Sequence, residues 1–81
     1  MKDFFTEEIV AIRQMVCQDP AYSELSDEEL KERIGQMQEK RIRDCMASEP
    51  ETAAYYSSIS FRVRKSLADT VFESTRGLGI I

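Results

Sequence analysis

Gly77-Leu78-Gly79 is the first place to look for chemistry, because closely spaced glycines let a backbone approach a phosphate. A nucleotide loop, however, needs GxxxxGK[ST], or GxGxxG between a strand and a helix. Here the glycines follow a helical pattern, and no lysine comes after them. They read as a helix stop. Carboxylates are the next candidates. Asp27, Glu28, Glu29 and Glu32 crowd one helix start, where negative charge is favoured by the dipole. General acid–base work would need one carboxylate in an apolar pocket, and the pattern offers no such position. Cys17 and Cys45 stand far apart in a chain without histidine. Thiol nucleophiles need a base and zinc sites usually need more ligands, so the two cysteines read as reduced core thiols. No catalytic, cofactor-binding or metal residue is expected.

Basic residues gather at Lys40-Arg41-Ile42-Arg43 and Arg62-Val63-Arg64-Lys65, the second group beside Tyr55, Tyr56 and Phe61. Aromatic and basic side chains together can stack on and hold single-stranded nucleic acid. Glu39, Asp44, Glu49 and Glu51 offset that field locally, and the chain's net charge is −4. A protein that grips a phosphate backbone normally carries a basic excess. Nucleic acid is therefore not the expected partner. Tyr22 and the Tyr55-Tyr56 pair suit either a protein contact or packing over the core's ends.

These residues are positioned by helices. Phe5, Ile9, Ile12 and Val16 recur at helical spacing, with Phe4, Val10 and Met15 widening the face. They predict a first helix over Thr6–Cys17, with Glu7 and Glu8 in its first turn and Asp19-Pro20 beyond its end. Ser26 and Glu29 form a capping box for a second helix, and Leu25 with Leu30 a hydrophobic staple. Its buried side is read as Leu30, Ile34, Met37, Cys45 and Met46, interrupted by Arg41, with Ile42 at the edge. Glu29–Arg33 and Glu39–Arg43 are i,i+4 pairs of about 0.2–0.5 kcal/mol each. Gly35 costs this helix about 1 kcal/mol relative to alanine.

Ser48 and Glu51 offer another capping box, with Pro50 in the first turn of a short helix over Glu51–Tyr56. Ser57, Ser58 and Ser60 then suggest a break, with Ser58 or Ser60 capping the last helix; one continuous helix over 49–76 is the alternative. The last helix is expected over Phe61–Arg76, on a stripe of Val63, Leu67 and Val71. Gly77 and Leu78 fit a Schellman ending. The expected fold is all-α: a small bundle of three amphipathic helices plus a short connecting helix. No apolar run approaches the roughly 20 residues of a membrane span, and no signal sequence opens the chain.

Beyond Gly77 come Leu78, Ile80 and Ile81, apolar residues where a free terminus is usually solvated. They point to a bundle domain over 1–76 and, over 77–81, a junction to a following domain. The stretch VRKSLADTVFESTRGLGII, Val63 to Ile81, resembles the entrance to the secretion ATPases of the type II/IV superfamily. The nearest likeness is to the pilus-assembly ATPases of the Flp/Tad kind. In that family a charged amphipathic helix ends in a glycine-leucine-glycine-like turn and opens the domain ahead of a RecA-like motor. Arg76, Gly77, Leu78 and Gly79 match that junction; residues 1–60 match only in character.

The resemblance implies the amino-terminal, non-catalytic interaction or regulatory domain of a bacterial cytoplasmic ATPase that drives secretion or pilus assembly. ATP and magnesium would belong to the motor, since no Walker residue has a counterpart here. The implied partners are the rest of the ATPase chain, sister subunits of a hexamer and a membrane-platform protein. A stand-alone helical adaptor or dimerisation protein is the alternative, and a nucleic-acid-binding helical module the third reading.

Overall fold

The computed structural model describes residues 3–77. Its helices are α1 (Phe4–Cys17), α2 (Asp27–Ser48), α3 (Pro50–Ser58) and α4 (Phe61–Thr75), with a short 3-10 turn at Tyr22–Glu24 before α2. The architecture is the all-α small bundle that the apolar spacing implies. No helix among the described residues is long and apolar enough to cross a membrane.

The caps explain where each helix begins. Asp3 caps α1: its carboxylate accepts from the Thr6 N–H at 3.2 Å and from the Thr6 hydroxyl at 2.7 Å. That draws Phe4 and Phe5 into the helix, two residues ahead of the expected start. Ser26 and Glu29 form both halves of the predicted capping box on α2. Leu25 is half-buried against the core and Leu30 is fully buried. Ser60 caps α4 through the Val63 N–H at 3.3 Å.

The Ser48–Glu51 box does not form. Ser48 stays in α2 and donates to the Asp44 carbonyl at 2.9 Å, leaving Glu49 to end α2 and precede α3 without a side-chain cap. Nor do Ser57 and Ser58 break the chain. Their hydroxyls fold back on the carbonyls of Ala53 and Tyr55, which lets α3 run on to Ser58. The break is at Ile59, whose extended backbone (φ −95°, ψ 154°) separates α3 from α4. A single helix over 49–76 is excluded.

Cross-helix contacts fix the direction of packing. Asp19 meets Arg33 and Glu8 meets Arg41, so α1 and α2 are antiparallel. Gln38 reaches the Arg64 carbonyl and Asp27 faces Arg76, so α4 is antiparallel to α2 and parallel to α1. Between them lies one small core of Ile9, Ile12, Val16, Leu30, Ile34, Leu67 and Val71. Each such side chain contributes about 1.5–3 kcal/mol on burial.

Two expected i,i+4 pairs give way to contacts between elements. Glu29 is occupied by its cap, and Arg33 turns to Asp19 at 3.0 Å. Glu39 bonds Arg64 at 2.7 Å, in place of Arg43. Met46, assigned to the buried side, is 74% exposed. It follows Cys45 by one residue, about 100° round the helix, and Cys45 is the one that faces inward.

Candidate functional site

Arg41 interrupts the apolar stripe of α2, and Glu8 stands on the apolar face of α1, one residue before Ile9 and four before Ile12. The antiparallel packing brings the two together. Arg41 Nε donates to Glu8 Oε1 and Arg41 Nη2 to Glu8 Oε2, both at 2.8 Å. The Tyr56 hydroxyl of α3 donates to the same Oε1 at 2.9 Å. On its other side the guanidinium bonds Glu49, with Nη1 at 2.9 Å from Oε2 and Nη2 at 3.3 Å from Oε1. One cation thus joins α1, α2 and the α2–α3 corner, and one carboxylate joins α1, α2 and α3.

Burial makes this cluster consequential. Glu8 is 2% exposed and Tyr56 6%. A buried carboxylate is expensive unless it is paired and hydrogen-bonded, and here both oxygens are used. The Glu8 hydrogen bonds hold Arg41 above the ordinary guanidinium range, against the opposing effect of burial. Burial first, and then the Glu8 charge, push the Tyr56 phenol well above tyrosine's usual range. Cys45 lies beneath, its Sγ 3.9 Å from Glu49 Oε2. Burial raises its pKa, so it stays a thiol and a poor nucleophile.

A cleft of about 360 Å³ opens over this cluster, lined by Thr6, Glu7, Glu8, Val10, Arg41, Glu49 and Thr52. Arg41 is bonded on both sides within it, so the arrangement functions as a clasp between helices. The expectation that no carboxylate enters the interior is corrected by Glu8. The expected start at Thr6 put it in the first turn, where the dipole favours negative charge, but α1 starts at Phe4 and carries Glu8 into the second turn. The signal was present as opposite charges at two apolar-face positions, Glu8 and Arg41.

Antiparallel packing of α2 and α4 sets the two basic groups near each other, and carboxylates take up part of their charge. Arg41 is consumed by the clasp, Arg64 pairs with Glu39, and Lys40 pairs with Asp44 at 3.0 Å. Tyr55 stacks on Phe4 at 5.3 Å and meets Tyr56 edge-on at 5.6 Å, so it is taken up in packing. Phe61 stands apart at 80% exposed. Cys17 is half-buried and both cysteines are free. Among the described residues no group of three or more His, Cys, Asp or Glu is placed to hold a metal ion.

The end of α4 is the other place where sequence and geometry meet. Gly77 has φ +78°, the left-handed conformation that glycine adopts without steric cost. Its N–H bonds the Ser74 carbonyl at 3.1 Å, and the Arg76 N–H bonds that of Phe72 at 3.1 Å. The Arg76 side chain crosses to the start of α2, donating to the Leu25 carbonyl and facing Asp27 Oδ1 at 3.2 Å. Leu78 and Gly79, the rest of the predicted motif, lie outside the described residues, as do Ile80 and Ile81. No family model, curated protein or solved structure matches the chain.

Proposed function

We propose that this bundle is a non-catalytic interaction and regulatory domain at the amino-terminal side of a secretion or pilus-assembly ATPase. The observation that carries the reading is the fastening of Arg76. It ties the end of α4 to Leu25 and Asp27 at the beginning of α2, immediately before the left-handed turn at Gly77. A helix end pinned in this way hands on the direction of the chain as a rigid strut does. A linker left to swivel would need none of these contacts.

On this reading the motor beyond the junction supplies ATP and magnesium chemistry, and the bundle supplies contacts. Those contacts are to the motor, to sister subunits of a hexamer and to a membrane-platform protein on the cytoplasmic side. The clasp of Glu8, Arg41, Glu49 and Tyr56 keeps the bundle's shape while it is pulled upon.

The natural reading frame tests the proposal. A frame that continues past Ile81 and encodes GxxxxGK[ST] is the expected result. A stop codon after Ile81 overturns it in favour of a stand-alone helical adaptor. In a continuing protein, Arg76→Ala is expected to retain basal ATP hydrolysis while losing its stimulation by the assembled secretion machinery.

A further inference from the structure

The face of α2 beside α4 holds features that the bundle itself does not use. Gly35, Glu39, Ile42 and Met46 occur at spacings of four, three and four, which places them on one side of the helix. Glu39 marks this side as the flank of α4, through its bond to Arg64. Moving one turn from Arg64 toward the start of α4 gives Phe61, which in the antiparallel packing stands level with Ile42. Phe61 is 80% exposed and Met46 74%. Two large apolar side chains therefore stand in water on one face, with half-buried Ile42 between them.

Gly35 is the second observation. A Cβ built there would meet no atom within 4 Å, so nothing inside the bundle requires a glycine. Glycine in a helix interior lowers helix stability, and what it permits in return is the close approach of another backbone. Charge is the third. Glu28 and Glu32 lie exposed on the first half of α2, where Lys31 is drawn over the Phe72 ring, and Arg43 lies exposed on the second half. Glu28, Glu32 and Arg43 are in no ion pair among the described residues. A surface acidic at one end and basic at the other complements itself when turned by a two-fold axis.

We infer that this face binds a second copy of the chain, with the two α2 helices antiparallel and crossing between Gly35 and Glu39. The two-fold axis then sets Glu32 opposite Arg43 of the second copy, and it covers Phe61 and Met46 of both. Gly35 lets the two backbones come close. Such a dimer needs only the bundle and is independent of any domain beyond Gly77.

Analytical ultracentrifugation of the chain over a range of concentration and salt tests it. The expected result is a monomer–dimer equilibrium weakened by salt. Gly35→Leu points into open space in the monomer, so it should leave helicity unchanged by circular dichroism while abolishing the dimer. Glu32→Lys and Arg43→Glu should each raise the dissociation constant roughly tenfold or more, because like charges then face each other. The two changes together should restore it. A chain that stays monomeric at every concentration overturns the inference, whether or not it binds another protein or a vesicle. So does a dimer indifferent to Gly35→Leu, or a charge reversal that the second reversal fails to rescue. None of these outcomes bears on the ATPase reading, which the reading frame decides.

Discussion

Glu8 and Arg41, 33 positions apart in the chain, meet through two parallel hydrogen bonds of 2.8 Å each. Bidentate pairing of this kind is the strongest form of carboxylate–guanidinium contact. Its depth in the bundle sets what its loss should do. The carboxylate is 2% exposed and the guanidinium 21%, so removing Arg41 strands the Glu8 charge away from water, whereas removing Glu8 leaves the guanidinium its bonds to Glu49.

Arg41→Met is expected to cost about 3–5 kcal/mol of unfolding free energy, the usual range for one broken half of a buried pair. Glu8→Leu combined with Arg41→Met should recover part of that loss, because no charge is then stranded in the interior, while the buried Tyr56 hydroxyl loses its acceptor. Urea unfolding of the two single variants and the double variant checks both statements. A double variant as unstable as the worse single one would show that the cluster's shape matters more than its charge.

Tyr56 gives the bundle an alkaline limit. Its folded-state pKa lies above the unfolded value of about 10, because burial and Glu8 oppose the phenolate. The folded state therefore holds its proton where the unfolded chain gives it up. Stability is fully present below about pH 10 and falls as the pH rises beyond it. Tyr56→Phe should flatten this decline, at a cost of about 1.5–3 kcal/mol near neutral pH for the lost bond to a charged acceptor. Denaturation midpoints of the two proteins across alkaline pH provide the measurement.

Gly77→Val should lower the thermal midpoint. A Cβ at φ +78° sits in the left-handed region, which costs an ordinary residue about 1–2 kcal/mol, and β-branching adds to that. No atom lies within 4 Å of an added Cβ here, so the loss would come from the backbone alone. An unchanged melting curve would mean that the turn relaxes freely.

Ser26→Ala removes the oxygen that accepts the Glu29 N–H at 3.2 Å. The expected loss is about 1 kcal/mol, read as a shift in the urea midpoint with no change in slope. Ser48→Ala is the matched control. Its hydroxyl caps no helix start, so its effect should be smaller.

The helices were legible because their apolar residues repeat at helical spacing, and Ser26, Ser60 and Gly77 mark boundaries through strictly local geometry. Where competition is nearly even, sequence was a weaker guide. Ser48 had a carbonyl four residues behind it as well as an N–H ahead, and it took the carbonyl. Glu39 and Arg33 left their helical neighbours for partners on other elements, which no i,i+4 rule can anticipate. Glu8 was obscured for a related reason: its meaning depended on Arg41, a residue on a different helix. The Arg76 bridge to Leu25 and Asp27 was likewise invisible, although Arg76 and Gly77 were singled out by their likeness to a family junction.

The shortness of α3 has a consequence of its own. At nine residues it falls below the length at which an isolated helix persists in water, and no side chain caps its start. Its order is lent by Tyr56 reaching Glu8 and by Glu49 reaching Arg41. Amide hydrogen exchange should therefore see α3 open as a separate foldon, well before the three longer helices come apart.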